Sequence, residues 1–497
     1  MAPSTDAVST KHPRGLYTLF FTEMWERFSY YGMRALLVLF MVDAVERGGL
    51  GLDGKTAAAI YGLYTAFVYL AALPGGWIAD RLLGAQRTVW YGGIIIAAGN
   101  FLLVLPTPQT FFFGLVLIVL GTGLLKPNIS AIVGQLYPEG GGRRDAGFTI
   151  FYVGINLGSA IGPLVCSTIG EKLNWHYGFA PAGVGMLLGL LQFKLTSKYL
   201  GTAGLLPHRE EGEGAPGAAN KGWRYVGAGV ALLALVVGLV FAGVIRIDPQ
   251  TLAHKTTYAI LGIAVAYFVA IFAFGKLAGT EKKQMCVIII LLVCAVVFFA
   301  GFEQAGSSLN LFAKNHTDRM LGLFNYEIPA GWYQTLNPIF IVTLAPAFAG
   351  LWVWLARRNL DPSTPLKFAF ALLLLALGFL VMVFAAQVVT TGNKALPYWL
   401  IVTYLVHTFG EICLSPVGLS AVTKLAPARF VGQMLGLWFL ATSLGNLIAG
   451  LFAGELSAEA VDQMPRLFLR MVWISAGAGV VLILLVRPIK RLMGATR

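Results

Sequence analysis

Charge is what this chain has least of. Only 12% of its 497 residues are Asp, Glu, Lys or Arg, while 57% are hydrophobic. Soluble domains run near 25% charged, so a soluble globular class is excluded. Alternating ten-residue segments with turn punctuation are also missing, which argues against a membrane β-barrel. Cysteine is scarce too. Cys166, Cys286, Cys294 and Cys413 all lie in apolar runs without paired spacing or nearby histidines, so they read as small packing residues, with no metal site implied. HExxH, GxSxG and clustered metal ligands are absent, which speaks against an enzyme. The polar first fifteen residues lead into a charged helix, unlike a secretory signal, so no cleaved leader is expected.

What is present is a series of apolar stretches that approach the ~20 residues a helix needs to cross a bilayer. Fourteen spans are predicted, near 16–46, 55–80, 88–106, 110–134, 146–171, 175–196, 225–245, 256–275, 285–312, 330–355, 367–391, 396–422, 431–454 and 468–486. The chain is therefore an all-α, multi-pass membrane protein. Lys and Arg total 36. About 23 fall on the side of the amino terminus, about 10 on the other, and three inside helices, a positive-inside bias that puts both termini in the cytoplasm. The formal charge of +13 then needs only anionic lipid, and no nucleic acid, as its partner.

The Gly/Pro/charge-rich stretch Leu200–Gly222 separates spans six and seven. It divides the chain into an amino-terminal six-helix bundle (1–199), a linker with an inserted apolar helix pair (200–283) and a carboxy-terminal six-helix bundle (284–497). The inserted pair is apolar all round and reads as peripheral. The two sixes share a faint repeat. "FYVGINLGSAIGPL" from Phe151 aligns with "WFLATSLGNLIAGL" from Trp438, pairing Gly158 with Gly445. Pro127 and Pro138 stand eleven apart, as do Pro416 and Pro427. Duplicated halves are the mark of transporters that rock around a central site.

Seven positions break the rule that membrane helices avoid charge. "TEMWERFSYYGMR", Thr22–Arg34, carries Glu23, Glu26, Arg27 and Arg34, each costing at least ~2.5–3.5 kcal/mol near the bilayer centre unless partnered. At about 100° per residue, Glu23, Arg27, Tyr30 and Arg34 fall within roughly 60°, with Glu26 and Tyr31 just beyond its edges. A packing lock needs one acid and one base, and this stripe exceeds that. Lys126 in "GTGLLKPN", Glu303 in "FFAGFEQAGS" and Glu411 in "HTFGEICLSP" are the other intramembrane charges. Arg34 and Lys126 facing Glu303 and Glu411 across a shared cavity would suit a zwitterion, with its carboxylate toward the bases and its ammonium toward the acids.

"ExxERFxYYG" at Glu23–Gly32 and "FYxxINxG" at Phe151–Gly158 resemble the two signatures of the proton-dependent oligopeptide transporter family, within the major facilitator superfamily. "GTGLLKPN" and "FGEICLSPVGLS" resemble its fourth and tenth helices, and "GGWIADRLLGAQR", Gly75–Arg87, resembles the general facilitator loop between helices two and three. The resemblance covers the whole chain and implies a bacterial di- and tripeptide:proton symporter of the cytoplasmic membrane. The implied fold is the major facilitator fold, two six-helix bundles plus two inserted helices, acting as a monomer without a cofactor.

It also implies roles. Arg34 and Lys126 would hold the peptide carboxylate, while Asn156, Asn337 and Glu411 would meet the amino terminus and backbone. Tyr30, Tyr31, Tyr69 and Trp438 would line side-chain pockets. Glu23, Glu26 and Arg27 would couple protonation to binding, with Glu303 forming and breaking pairs with Arg34 or Lys126. Asp80 and Arg81 would latch the cytoplasmic side. Phe299 stands where many bacterial members have Trp, and Gly62 where animal relatives have a histidine. His407, one turn before Glu411, reads as a packed neutral side chain.

Overall fold

The computed structural model describes residues 11–138, 141–205, 218–322, 325–458 and 461–494. Most of the predicted linker, residues 206–217, lies outside the described residues, as do the first ten.

Fifteen α-helices run through the described residues: α1 Arg14–Val42, α2 Gly54–Ile78, α3 Ala85–Val104, α4 Pro108–Gln135, α5 Gly141–Lys172, α6 Trp175–Thr196, α7 Ala218–Phe241, α8 Pro249–Phe274, α9 Gly279–Phe302, α10 Ser308–His316, α11 Leu336–Arg357, α12 Thr364–Thr390, α13 Tyr398–Leu425, α14 Val431–Ala458 and α15 Met464–Met493. Thirteen segments are long and apolar enough to cross a membrane. Helix α1 makes the fourteenth: its 29 residues reach about 43 Å at ~1.5 Å per residue, and only its charges set it apart. Helix starts follow local chemistry. Asp53, Thr107, Asn174 and Asp248 each accept a backbone N–H at the first turn of α2, α4, α6 and α8, satisfying donors that would otherwise be orphaned.

Within the first half, α1 packs against α5 and α6, and α3 against α4 and α6. The α1–α5 seam is set by a stripe of glycines four apart. A Cβ on Gly158 would stand 2.0 Å from the Met24 carbonyl oxygen, and one on Gly162 2.4 Å from that of Phe28. Small residues allow such backbone approach, which in lipid replaces the hydrophobic drive. The aligned glycine of the repeat does the same work in the second half: a Cβ on Gly445 of α14 would stand 2.6 Å from Phe299 Cβ on α9. The sequence repeat thus maps onto equivalent seams in two six-helix bundles. Between the halves, α2 lies along α14. Inserted helices α7 and α8 are peripheral; α7 buries none of its membrane-length stretch, and α8 leans on α2 and α14.

The ninth predicted span, 285–312, is not one helix. Helix α9 ends at Phe302, a single 3-10 turn covers Glu303–Gly306, and α10 restarts at Ser308. Gly301 and Gly306 bracket the break, glycine being the costliest ordinary residue in a helix interior, and Ser307 adopts φ −125°, ψ −93°. Interrupted membrane helices place backbone and side-chain polar groups at a cavity, and this one delivers Glu303.

Candidate transport site

One cavity of about 330 Å³ at mid-depth is lined by Arg34 from α1, Tyr69 from α2, Lys126 from α4, Asn156 from α5, Glu303 from the α9 break, Asn337 from α11, Glu411 from α13 and Trp438 from α14. Tyr31, Phe299 and His407 also reach it. Charged groups that are scattered in sequence therefore converge on a single void between the halves.

Its two acids and two bases are not equivalent. The Arg34 guanidinium spans the halves, with Nη2 donating to Glu303 Oε2 at 2.5 Å and Nε donating to the Tyr61 hydroxyl at 2.5 Å. Both charges of that pair are buried. Lys126 has no carboxylate partner among the described residues; its Nζ lies 3.9 Å from the centre of the Tyr69 ring, a cation–π contact. Glu411 likewise has no basic partner among them. Its Oε2 accepts from Asn337 Nδ2 at 2.8 Å, and that amide also donates to Thr408 at 3.0 Å. Among the described residues, the cavity therefore presents one uncommitted cation from the first half and one uncommitted carboxylate from the second.

Six predicted residues, Glu23, Glu26, Arg27, Tyr30, Asp80 and Arg81, are displaced from it. Glu23, Glu26 and Arg27 are buried beside the cavity and outside its lining. Arg27 Nε pairs with Glu23 at 3.1 Å and with Glu26, leaving Glu23 Oε2 and Glu26 Oε1 buried without a donor. Tyr30 is also off the cavity: its ring stacks on Tyr64 with centroids 6.3 Å apart, under the Arg27 guanidinium. One helical stripe is thus split by what lies opposite, α2 covering its upstream part and the void its downstream end. Phe299 meets Trp438 edge-on at 6.5 Å, Asn156 donates to the Tyr152 carbonyl, and His407 Nε2 sits 3.3 Å from the Leu375 carbonyl. Asp80 and Arg81 are exposed in a π-helical turn, Ala79–Leu83, at the end of α2 and far along the helix from Tyr61.

Tyr61 was not anticipated from sequence. Tyr61, Tyr64 and Tyr69 share roughly 140° of α2 at 100° per residue, a signal that was available. Gly306 makes room for the contact: a Cβ there would stand 1.9 Å from the Tyr61 hydroxyl and 2.9 Å from Arg34 Nε.

The void is closed toward one face and open toward the other. On the closed face, α5 is zipped to the 3-10 segment Ala330–Thr335 that precedes α11. Glu171 accepts the Ala330 and Gly331 N–H groups at 2.8 and 2.9 Å, Trp332 Nε1 donates to the Thr168 hydroxyl at 2.9 Å, and Thr335 donates to the Ala160 carbonyl at 3.2 Å. Nearby, Asp43 at the end of α1 accepts from Trp175 Nε1 at 2.7 Å and faces Lys314 of α10 at 3.5 Å. Toward the face carrying the chain termini, the cavity continues past Tyr152, Glu411, Ser415 and Leu419 into a cleft of about 970 Å³. Among the described residues, no three His, Cys, Asp or Glu side chains cluster as a metal site.

Comparison with known proteins agrees with this geometry. The peptide transporter YePEPT of Yersinia enterocolitica subsp. palearctica is 45% identical over 98% of this chain and 96% of its own length. A di-/tripeptide transporter of Lactococcus lactis subsp. cremoris is 38% identical over 98% and 97%. A crystal structure of the peptide transporter POT in complex with sulfate superposes with a TM-score of 0.89, at 40% identity over 97% of this chain and 96% of that one. Residues 86–467 match the family profile PTR2, described as the POT family, and with whole-length relatives at this identity the chain belongs to the POT family of membrane transporters.

Proposed function

We propose that this chain carries di- and tripeptides together with protons across the bacterial cytoplasmic membrane by alternating access. The observation that carries the reading is the pair of uncommitted charges on opposite halves of one buried cavity: among the described residues, Lys126 is without an acid and Glu411 without a base. A zwitterionic peptide supplies a carboxylate for the first and an ammonium for the second, so its desolvated ends replace partners that the protein withholds. A simple anion such as nitrate has nothing to offer Glu411. Asn156 and Asn337 lie where peptide backbone groups need partners, and Tyr31, Tyr69, Phe299 and Trp438 leave room for varied side chains.

Proton coupling falls to the charges that substrate does not touch. Two carboxylates, Glu23 and Glu26, share one guanidinium in a buried cluster, and a proton arriving there satisfies the surplus charge and loosens Arg27. Glu303 trades between Arg34 and a proton as the closed face opens. The chain works as a monomer, since one chain lines the whole path, with both termini in the cytoplasm and the proton gradient as the only driving force; no cofactor is required.

The test is uptake by proteoliposomes of labelled dialanine with and without an inward proton gradient. Accumulation should require the gradient, and unlabelled tripeptides should compete while amino-blocked peptides and nitrate should not. Accumulation that persists at equal pH on both sides, or competition by nitrate, would contradict the reading.

A further inference from the structure

The cleft of about 970 Å³ differs in character from the cavity it joins. It lies between α11 and the helices α12, α13 and α15, because α11 meets the rest of the chain chiefly through α5 and α13. Its walls are mainly apolar: Ile341, Ala345, Phe348 and Trp352 from α11 face Val417 and Leu419 from α13, with Ser415 and Ser420 as hydroxyls among them. Outside the cleft, α11 and α15 carry exposed apolar side chains, Val353 at 53% and Leu484 at 74%, so the helices that flank it border the membrane-facing surface. Its rim is basic. Lys367, Lys424 and Lys490 line it against a single rim acid, Asp361. Lys367 is committed, 2.9 Å from Asp361 and 4.5 Å from the Trp352 ring centre. Lys424 and Lys490 are exposed and have no ion-pair partner among the described residues.

The dimensions indicate what fills such a space. From Glu411 at its inner end to Lys424 at its rim, α13 covers about 20 Å at ~1.5 Å per residue. Half a bilayer's hydrocarbon core is about 15 Å. An apolar cleft one leaflet deep, with two free ammonium groups at headgroup level, matches a lipid with a negative headgroup. It does not match a hydrated peptide, which would face six apolar side chains in its walls.

We propose that this cleft is a binding site for one anionic phospholipid of the leaflet on the side of the chain termini, its phosphate held by Lys424 and Lys490 and an acyl chain lying along α11. The inner end of that chain would reach Glu411 and Ser415, which the cleft shares with the central cavity, so occupancy is felt at the transport site. The inference is independent of which solute the chain carries.

Native mass spectrometry of the full-length protein, titrated with palmitoyl-oleoyl phosphatidylglycerol or with phosphatidylcholine of the same chains, tests it. Wild type should prefer phosphatidylglycerol. The K424Q/K490Q variant should lose about fivefold in affinity per lysine and about thirtyfold together, with phosphatidylcholine binding unchanged. Ala345→Trp, which fills the inner wall and leaves the lysines in place, should weaken phosphatidylglycerol binding as well, so the proposal does not hang on one variant's folding. Equal binding of both lipids, an unchanged K424Q/K490Q variant, or displacement of the lipid by glycerol 3-phosphate at comparable concentration would overturn it. So would a K424Q/K490Q variant that loses dialanine affinity in place of lipid affinity, which would make the cleft the peptide's exit.

Discussion

Glu171→Gln should open the closed face. The Glu171 carboxylate, 8% exposed, accepts two backbone N–H groups across the halves and lies 3.6 Å from Arg319. An amide of the same shape keeps one acceptor oxygen and turns an NH2 group toward the second N–H. One charge-assisted bond, worth ~1.5–3 kcal/mol, is lost, while Arg319 retains Glu327 at 2.7 Å. About 2 kcal/mol removed from the closed arrangement alone shifts the equilibrium ~30-fold. A protein that is about 99% closed on this face would fall to about 77%. Spin labels at Leu173 and Met320, both exposed and on opposite sides of the seam, would read this by electron–electron resonance in a cysteine-free background. A second, longer distance should appear in Glu171→Gln. Glu327→Gln, an exposed partner in the same network, should change little, as surface pairs are worth ~0–1 kcal/mol. Identical distance distributions for wild type and Glu171→Gln would refute the assignment of Glu171 as a fastener of the two halves.

Other consequences follow from the same geometry. Gly306→Ala should disrupt the Arg34–Tyr61 contact, since the added methyl would meet the Tyr61 hydroxyl; uptake should fall at least tenfold in a monodisperse protein, whereas Tyr61→Phe, which loses one hydrogen bond of ~1–3 kcal/mol, should fall less. Equal uptake by Gly306→Ala and wild type would show that the close approach is dispensable. Asn337→Leu leaves Glu411 without its one hydrogen-bond donor and should weaken dialanine binding by about tenfold, a loss of ~1–2 kcal/mol measured by calorimetry. At the start of α2, the side chain and then the backbone N–H of Thr56 hold the Asp53 carboxyl below its ordinary value. A depressed folded value means that this cap stabilises fully above the unfolded pKa of ~3.9 and fades as pH falls through the folded one. Asp53→Asn keeps a cap that cannot titrate, so the melting curves of the two proteins should begin to converge at pH ~4 and close as pH falls further; parallel curves would rule the cap out as the source.

How much of the site was visible beforehand depends on the kind of signal. Arg34, Lys126, Glu303 and Glu411 stood out because a charge in an apolar run is expensive wherever the helix sits, and all four line one cavity. The stripe on α1 was legible as a stripe, but periodicity says only which residues share a face. It did not tell that α2 covers Tyr30 with Tyr64, nor that Glu23 and Glu26 share the Arg27 Nε while its Nη2 stays buried without an acceptor. The break after Phe302 was hidden because the strongly apolar run before it carries the whole segment as one span, Gly279–His316, across the polar dip at Gly301–Ser308. The Glu171 contacts had no sequence signature at all: its partners are backbone N–H groups, which every residue but proline carries.

The sequence by itself determined the membrane class, the number of spans, the doubled architecture and the identity of the costly buried charges. Each rests on local free energies of transfer and helix geometry, read along a line. Only the tertiary structure decided which charges are paired and which, among the described residues, are not, which face is shut, and where a cleft lies between α11 and α13. Those depend on contacts such as Arg34 with Glu303, 269 residues apart, and no local property of either residue specifies who stands opposite.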